Sequence, residues 1–408
     1  MIPLELSFLE PLGRLHARPW ADAVTGVKID SRRIEEGDLF VAVGGGADFV
    51  QHALALGAAA ALVPHEAHRA LAAIGGAIRN RSSARVVGIT GSTGKTTTKD
   101  ILAALCAPHA RVVASEGNYN NELGVPLTLC RLEHDSELCI SEMGMRGLGQ
   151  IAWLASIARP NVAIITNIGP VHLELVETVE NVARAKAELI DALPPGGVAV
   201  VPEEPLLEPY LTRTDIEIRR FGRVERPGEY EIGSKKVLIN TNYGARHQLQ
   251  NTLAALTAAD ALGVPIEVGD LVVEFSPLRE QELELPDGVL VINDCYNANP
   301  ISMRAALTNL AERAGTRRRV AVLGEMAELG DEAPSYHREI GELVHELDVT
   351  AIGVGPLARD YVANGGTWVA TAAEAADELR GLLRPGDVVL VKGSRAVGLE
   401  LVAENLGA

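Results

Sequence analysis

GITGSTGKTTTKD, residues 88–100, is the stretch on which the fold turns. It follows the β-branched run RVVGIT at 85–90 and leads into a helical pattern, so Gly91, Gly94, Lys95, Thr96 and Thr97 stand between a strand and a helix. Residues in that order make a phosphate cradle. The glycines let backbone N–H groups converge on phosphate oxygens, and the helix amino terminus favours the anion. The lysine reaches the terminal phosphates and a threonine hydroxyl ligates magnesium. The general pattern GxxxxGK[ST] would need glycine at 89, where this chain has Ile89, but the tighter GxxGKT remains. Gly91, Ser92, Thr93, Gly94, Lys95, Thr96 and Thr97 are therefore expected to bind a nucleotide, ATP or GTP, and Thr96 to hold magnesium. The loop is silent about the acceptor.

Outward from the loop, buried strands are expected at ELCISEM (137–143) and NVAIITNIG (161–169), with helices between them. Continuous apolar runs of this kind suit a parallel sheet covered on both faces. Short alternating segments with glycine turns between 220 and 245 predict a small antiparallel excursion, and a helix is expected over 247–262. Beyond the polar stretch SPLREQELELPDG (276–288), strands are expected at 289–294, 319–324, 350–355 and 387–393, alternating with helices as a second Rossmann-like unit. Before the loop, GDLFVAV (37–43), AAALV (59–63) and a helical stretch around 52–60 read as a small α/β unit ending at RNRSS. The expected fold is α/β in three domains: a small α/β domain over 1–82, a central P-loop doubly wound ATPase domain over 83–283, and a Rossmann-like domain over 284–408.

At 408 residues, 47% hydrophobic and 22% charged, the chain has the balance of a soluble globular protein. The longest apolar stretch, ALALGAAAALV at 53–63, is too short to span a bilayer, and the amino terminus lacks a basic region followed by an apolar core. A cytoplasmic protein with no membrane insertion is expected. A formal charge of -17 opposes loose binding to nucleic acid, so the charge of an anionic ligand must be met locally. The four cysteines are scattered without metal-like spacing and read as buried apolar residues. Of 37 basic residues only seven are lysine, so Lys95, Lys186 and Lys392, each inside a motif, draw notice.

Taken with its neighbours, the loop resembles the start of the central domain of the Mur ligases, and the likeness runs over nearly the whole chain. GNYNNELGVPLTL (117–129), SEMGMRGLGQI (141–151), ITNIGPVHLE (165–174), ARAKAEL (183–189) and DCYNANPISM (294–303) resemble the branch that adds D-alanyl-D-alanine. Glu142 ends a strand where a carboxylate suits magnesium, against the reading of a surface glutamate. His172 follows the next strand; an isolated histidine is more often a structural hydrogen-bonder, but the motif implies a magnesium ligand. An unmodified Lys186 would be repelled by magnesium, and the resemblance implies a carbamylated lysine whose oxygens suit the metal. Lys95, Glu142, His172 and Lys186 are thus the implied catalytic set, with Thr96, Glu142, His172 and carbamylated Lys186 holding the metal.

For the nucleotide, the family's HNxxN pattern reads His247, Gln248 and Asn251 here, so Asn251 is the implied contact. Asp294, Tyr296, Asn297 and Asn299 follow a strand's carboxyl end and are implied to close over ATP. LGEMAELG (323–330), His337 and KGSR (392–395) are implied to line the cleft, with Lys392, Ser394 and Arg395 on the substrate side. At the amino end VKIDSRRIEEGDLFVA resembles a UDP-recognition domain, with Asp30, Ser31 and Arg32 as candidates. Asn118, Asn120 and Asn121 either bind the substrate's diphosphate or peptide or act as local backbone caps. The implied reaction joins D-alanyl-D-alanine to a UDP-N-acetylmuramoyl-tripeptide through an ATP-derived acyl phosphate, by a monomer whose third domain closes over the site. A sibling ligase adding a single amino acid and a folylpolyglutamate-synthase-like ligase share the phosphate loop and domain plan.

Overall fold

The computed structural model describes residues 1–406. Strand Arg85–Thr90 lies near the middle of a six-stranded parallel sheet. It is flanked on one side by Leu138–Glu142 and then Val112–Ala114, and on the other by Val162–Ile165, Val198–Pro202 and Glu217–Phe221. Chain order reverses at Arg85–Thr90, which opens a crevice at the carboxyl ends of the strands. Register places Ile89 beside Glu142 and Thr90 beside Ile165, so residues leaving all three strands converge there. The expected strand 161–169 stops at Ile165, and Thr166 to Gly169 leave the sheet to brace the phosphate loop.

The hairpin Glu229–Ile232 and Lys235–Thr241 turns at Gly233, whose φ of +59° suits glycine. Its alternation buries Tyr230, Ile232, Val237 and Ile239 in a cluster with Leu249 and Leu253 of helix Arg246–Ala261. The amino-terminal sheet runs Gly13–Ala17, Ala60–Pro64, Asp38–Val41, Gly26–Lys28. Where a helix was expected over 52–60, the helix is Val50–Ala55 and the chain is already a strand at Ala60. Helix Ala67–Arg81 joins this unit to the central one. Gly75 lies so close to Pro126 that an added Cβ would come within 2.9 Å of its backbone. Leu39, Val41 and Ile74 share one apolar cluster with Val125 and Leu189, so these two units have a common core.

The third unit has cores of its own, on either side of a sheet ordered Gln281–Glu284, Leu290–Asn293, Val388–Lys392, Arg319–Gly324, Val349–Val354, Thr367–Val369. Gln281–Glu284 is antiparallel to its neighbour and the other pairs are parallel. The division expected at 283/284 therefore falls inside a strand. Ser276 is still tied to the central unit, its N–H donating to Asp100 Oδ2 at 2.9 Å, whereas Leu278 packs in the third unit's core. We place the junction between them.

Candidate active site

The three units leave a cleft of about 1110 Å³ between the central and third sheets. Its floor is the loop Gly91–Gly94 and the first turn of helix Lys95–Cys106. Gly91 (φ +152°) and Gly94 (φ +77°) are required by both backbone and space. A Cβ at Gly91 would lie 1.8 Å from Thr166 Oγ1, and one at Gly94 would lie 2.4 Å from Asn251 Oδ1. Asn251 thus touches the loop it was expected to accompany. Ser92 Oγ accepts from Gly169 N–H at 2.9 Å, and Thr93 N–H donates to Asn167 Oδ1 at 2.9 Å. These contacts hold the loop to the strand-end segment 166–169.

Thr96 Oγ1 donates to Glu142 Oε2 at 2.8 Å, and the other carboxylate oxygen accepts from Asn120 Nδ2 at 2.7 Å. Glu142 is buried, at the end of its strand. A hydroxyl and a carboxylate oxygen side by side below a phosphate cradle are hard oxygen donors, and they fit magnesium, which takes the rest of its shell from phosphate and water. Lys95 Nζ donates to Gly91 O at 2.7 Å, and burial lowers its pKa. Lys186, on helix Val179–Asp191, is buried with no hydrogen bond or ion pair among the described residues. Burial, and then the charge of Lys95, push its pKa well below the ordinary lysine value. As an ammonium it does not fit beside magnesium. His172, at φ +55° in the loop after Val162–Ile165, pairs through Nδ1 with Glu328 of the third unit.

The sequence reading missed Arg279. Its Nη2 donates to Thr96 Oγ1 at 3.2 Å, and its guanidinium lies 4.0 Å from the centre of the Tyr296 ring. It sits at the interdomain junction between Leu278 (φ +62°) and Glu280 (φ +49°), where nothing in the local pattern marks it out. Beside it Glu280 accepts from His247 Nε2 at 2.8 Å. Gln248 is occupied at the helix start, its side chain accepting from Ala245 N–H at 3.3 Å.

Other expected residues reach the cleft but are already engaged. Lys392, expected at the substrate, is instead enclosed by Asp294 Oδ2 at 2.6 Å and Asn297 O at 3.0 Å, where it shapes the 294–297 turn. Asn299 caps helix Pro300–Ala314 by accepting from Ser302 N–H at 2.9 Å, and Asn297 Oδ1 accepts from Ala298 N–H. Ser394 Oγ accepts from Ala327 N–H at 2.9 Å. Asn121 caps the following helix through Gly124 N–H, while Asn118, Tyr296 and Arg395 line the cleft. Thr97 lines it too. Asp30, Ser31 and Arg32 lie outside it on the amino-terminal sheet's loops, Asp30 paired with Arg32 at 2.8 Å and Ser31 with His52 at 3.2 Å. The four cysteines are buried and burial raises each thiol, to about 11 for Cys106 and Cys295 and about 12 for Cys130 and Cys139.

Two family profiles match the chain: the Mur ligase middle domain over residues 89–259 and the Mur ligase glutamate ligase domain over 279–395. The chain is 35% identical to the UDP-N-acetylmuramoyl-tripeptide–D-alanyl-D-alanine ligase of Mycobacterium tuberculosis, over 94% of this chain and 92% of that one. Its structure resembles that of MurF from Acinetobacter baumannii, with a TM-score of 0.85, 29% identity and coverage of 99% and 98%. It also resembles the MurF ligase of Thermotoga maritima in complex with ADP, with a TM-score of 0.79, 28% identity and coverage of 94% and 97%.

Proposed function

Because the chain belongs to the Mur ligase family, we propose that it joins D-alanyl-D-alanine to a UDP-N-acetylmuramoyl-tripeptide with ATP, forming ADP and phosphate, in peptidoglycan precursor synthesis. One juxtaposition carries the phosphoryl-transfer half of this reading: Thr96, donating to Glu142 and accepting from Arg279 at the mouth of the phosphate loop. The acceptor half is supported by the near-full-length likeness to relatives of that named activity. For a single-amino-acid sibling the likeness is one of fold alone. Both nucleotide substrates put the reaction in the cytoplasm, and no helix among the described residues is long and apolar enough to cross a membrane.

The tripeptide's terminal carboxylate attacks the γ-phosphorus as ADP leaves, and the dipeptide's amine then attacks the acyl carbon as phosphate leaves, losing its proton to give the amide. The backbone N–H groups of 91–95 cradle the phosphates, Lys95 and Arg279 meet the charge gathering on the transferred group, and Asn251 flanks the loop. Thr96, Glu142 and His172 would hold magnesium, which when bound would supply charge neutralisation on the phosphate oxygens. Lys186 reacts as the neutral amine with carbon dioxide, releasing a proton and becoming a carbamate. Its burial, its lowered pKa and its lack of a partner support that modification. Tyr296 and Asn297 face the nucleotide from the third unit, which excludes water from the acyl phosphate. Asp30, Ser31 and Arg32 remain our candidates for the uridine end, and Asn118, Asn120, Ser394 and Arg395 for the tripeptide's path.

Phosphate release from ATP, measured with the UDP-linked tripeptide and D-alanyl-D-alanine, D-alanine, diaminopimelate or glutamate, tests this. Release and a product mass that depend on the dipeptide are expected. Turnover with a single amino acid alone would overturn the acceptor and leave the phosphate site standing.

A further inference from the structure

The segment LGEMAELG (323–330) is held in shape on both sides of Glu328, yet the nucleotide chemistry leaves it without a task. Met326 N–H donates to His337 Nε2 at 3.0 Å, and His337 Nδ1 donates to Ala333 O at 2.7 Å, so this buried ring is a neutral brace. Ala327 N–H is held by Ser394. Gly330, at φ +60°, presses on Glu174, where an added Cβ would come within 3.2 Å of the backbone. Between these anchors Glu328 takes φ +64°, rare for a residue with a side chain, and reaches across the unit boundary. One carboxylate oxygen meets His172 Nδ1, the other lies 3.5 Å from Arg146 Nε, and its carbonyl accepts from Glu174 N–H at 3.4 Å. His172 is itself in the left-handed region. Two strained loops therefore touch through two hydrogen bonds between separate cores.

We propose that Glu328 is a positioning residue: accepting the Nδ1–H of His172, it fixes the tautomer that leaves the Nε2 lone pair free in the cleft that Lys95 and Lys186 also line, and does so only while the third unit is docked. A carboxylate behind a histidine sets which ring nitrogen is free to act as a ligand. Docking and readiness of the cation site then become one event. Arg146 pairs with the remaining oxygen and holds the carboxylate in place. The inference rests on the reading of His172 as a group that faces the cation.

Nitrogen-15 spectra of the histidine rings in the full chain, with His172 assigned through His172→Gln, test the tautomer directly. Nδ1–H is expected in the wild type and in Glu328→Gln, which keeps an acceptor oxygen. A mixture weighted to Nε2–H is expected in Glu328→Ala. In parallel, ADP affinity is measured with magnesium and with a chelator. Glu328→Ala is expected to lose about tenfold of the magnesium-dependent gain and to bind ADP unchanged without metal. An Nε2–H wild type, or a Glu328→Ala chain with unaltered tautomer and magnesium gain, overturns the proposal. A wild type with no magnesium gain would instead remove the cation reading beneath it.

Discussion

Lys186 and Lys392 line the same cleft from different units. Both are 2% exposed, one on the central wall and one on the third unit's wall. Lys392 lies 2.6 Å from a carboxylate and is part of the architecture of the turn it holds. Lys186 has no partner among the described residues and a second lysine as its electrostatic neighbour. Burial of a charge therefore says little until its partner is known. A paired lysine reports how a loop is built, and an unpaired one reports chemistry.

The contrast can be pressed hardest at Lys186. Lys186→Met should lower turnover on the order of 10³-fold, about 4 kcal/mol of barrier, because the cleft loses the carbamate-forming group that would hold magnesium at the transferred phosphate. It should leave thermal stability equal or higher, since a desolvated amine is removed. Steady-state rates set beside melting curves check both halves, and a chain that loses stability as much as activity would erase the distinction. Lys392→Met should do the reverse, costing about 3 kcal/mol of third-unit stability by stranding Asp294. Urea denaturation checks this, and adding Asp294→Asn should recover most of the loss.

The smallest effect concerns His247 and Glu280, the pair at the junction. Burial alone would lower the pKa of His247, but the charge and hydrogen bond of Glu280, with Asp294 beyond, raise it above 6.5. A raised histidine stabilises the fold fully below its unfolded value and loses that contribution as pH rises through the folded one. Melting temperatures of wild type and Glu280→Gln should differ most near pH 6 and converge toward pH 9. A difference that grows with pH would break the assignment.

The phosphate loop and the placement of Glu142 and His172 after buried strands were legible because those strands are short β-branched runs, whereas a metal role for His172 rested on the resemblance. Arg279 was not: it stands in a polar run without periodicity, and only the fold brings it to Thr96. Gln281–Glu284 was read as part of that polar run because an edge strand exposed on both faces has no apolar alternation, and all four residues are exposed. Val112–Ala114 and Thr367–Val369 are too short for a pattern to register. Asn299 carries two signals. Asparagine before proline at a helix start is a cap by local rules, and the residue caps its helix while also lining the cleft.

The chain crosses from the central unit to the third once, between Ser276 and Leu278, and Arg279 follows at once. Its guanidinium reaches Thr96 from the junction itself, so a change in the angle between the units also moves it relative to Thr96. Opening far enough to let product go withdraws the same charge that favours phosphoryl transfer. ATP would then be spent in the geometry that also shelters what it makes, and the ratio of ATP consumed to amide formed would depend on the backbone of Leu278 and Glu280.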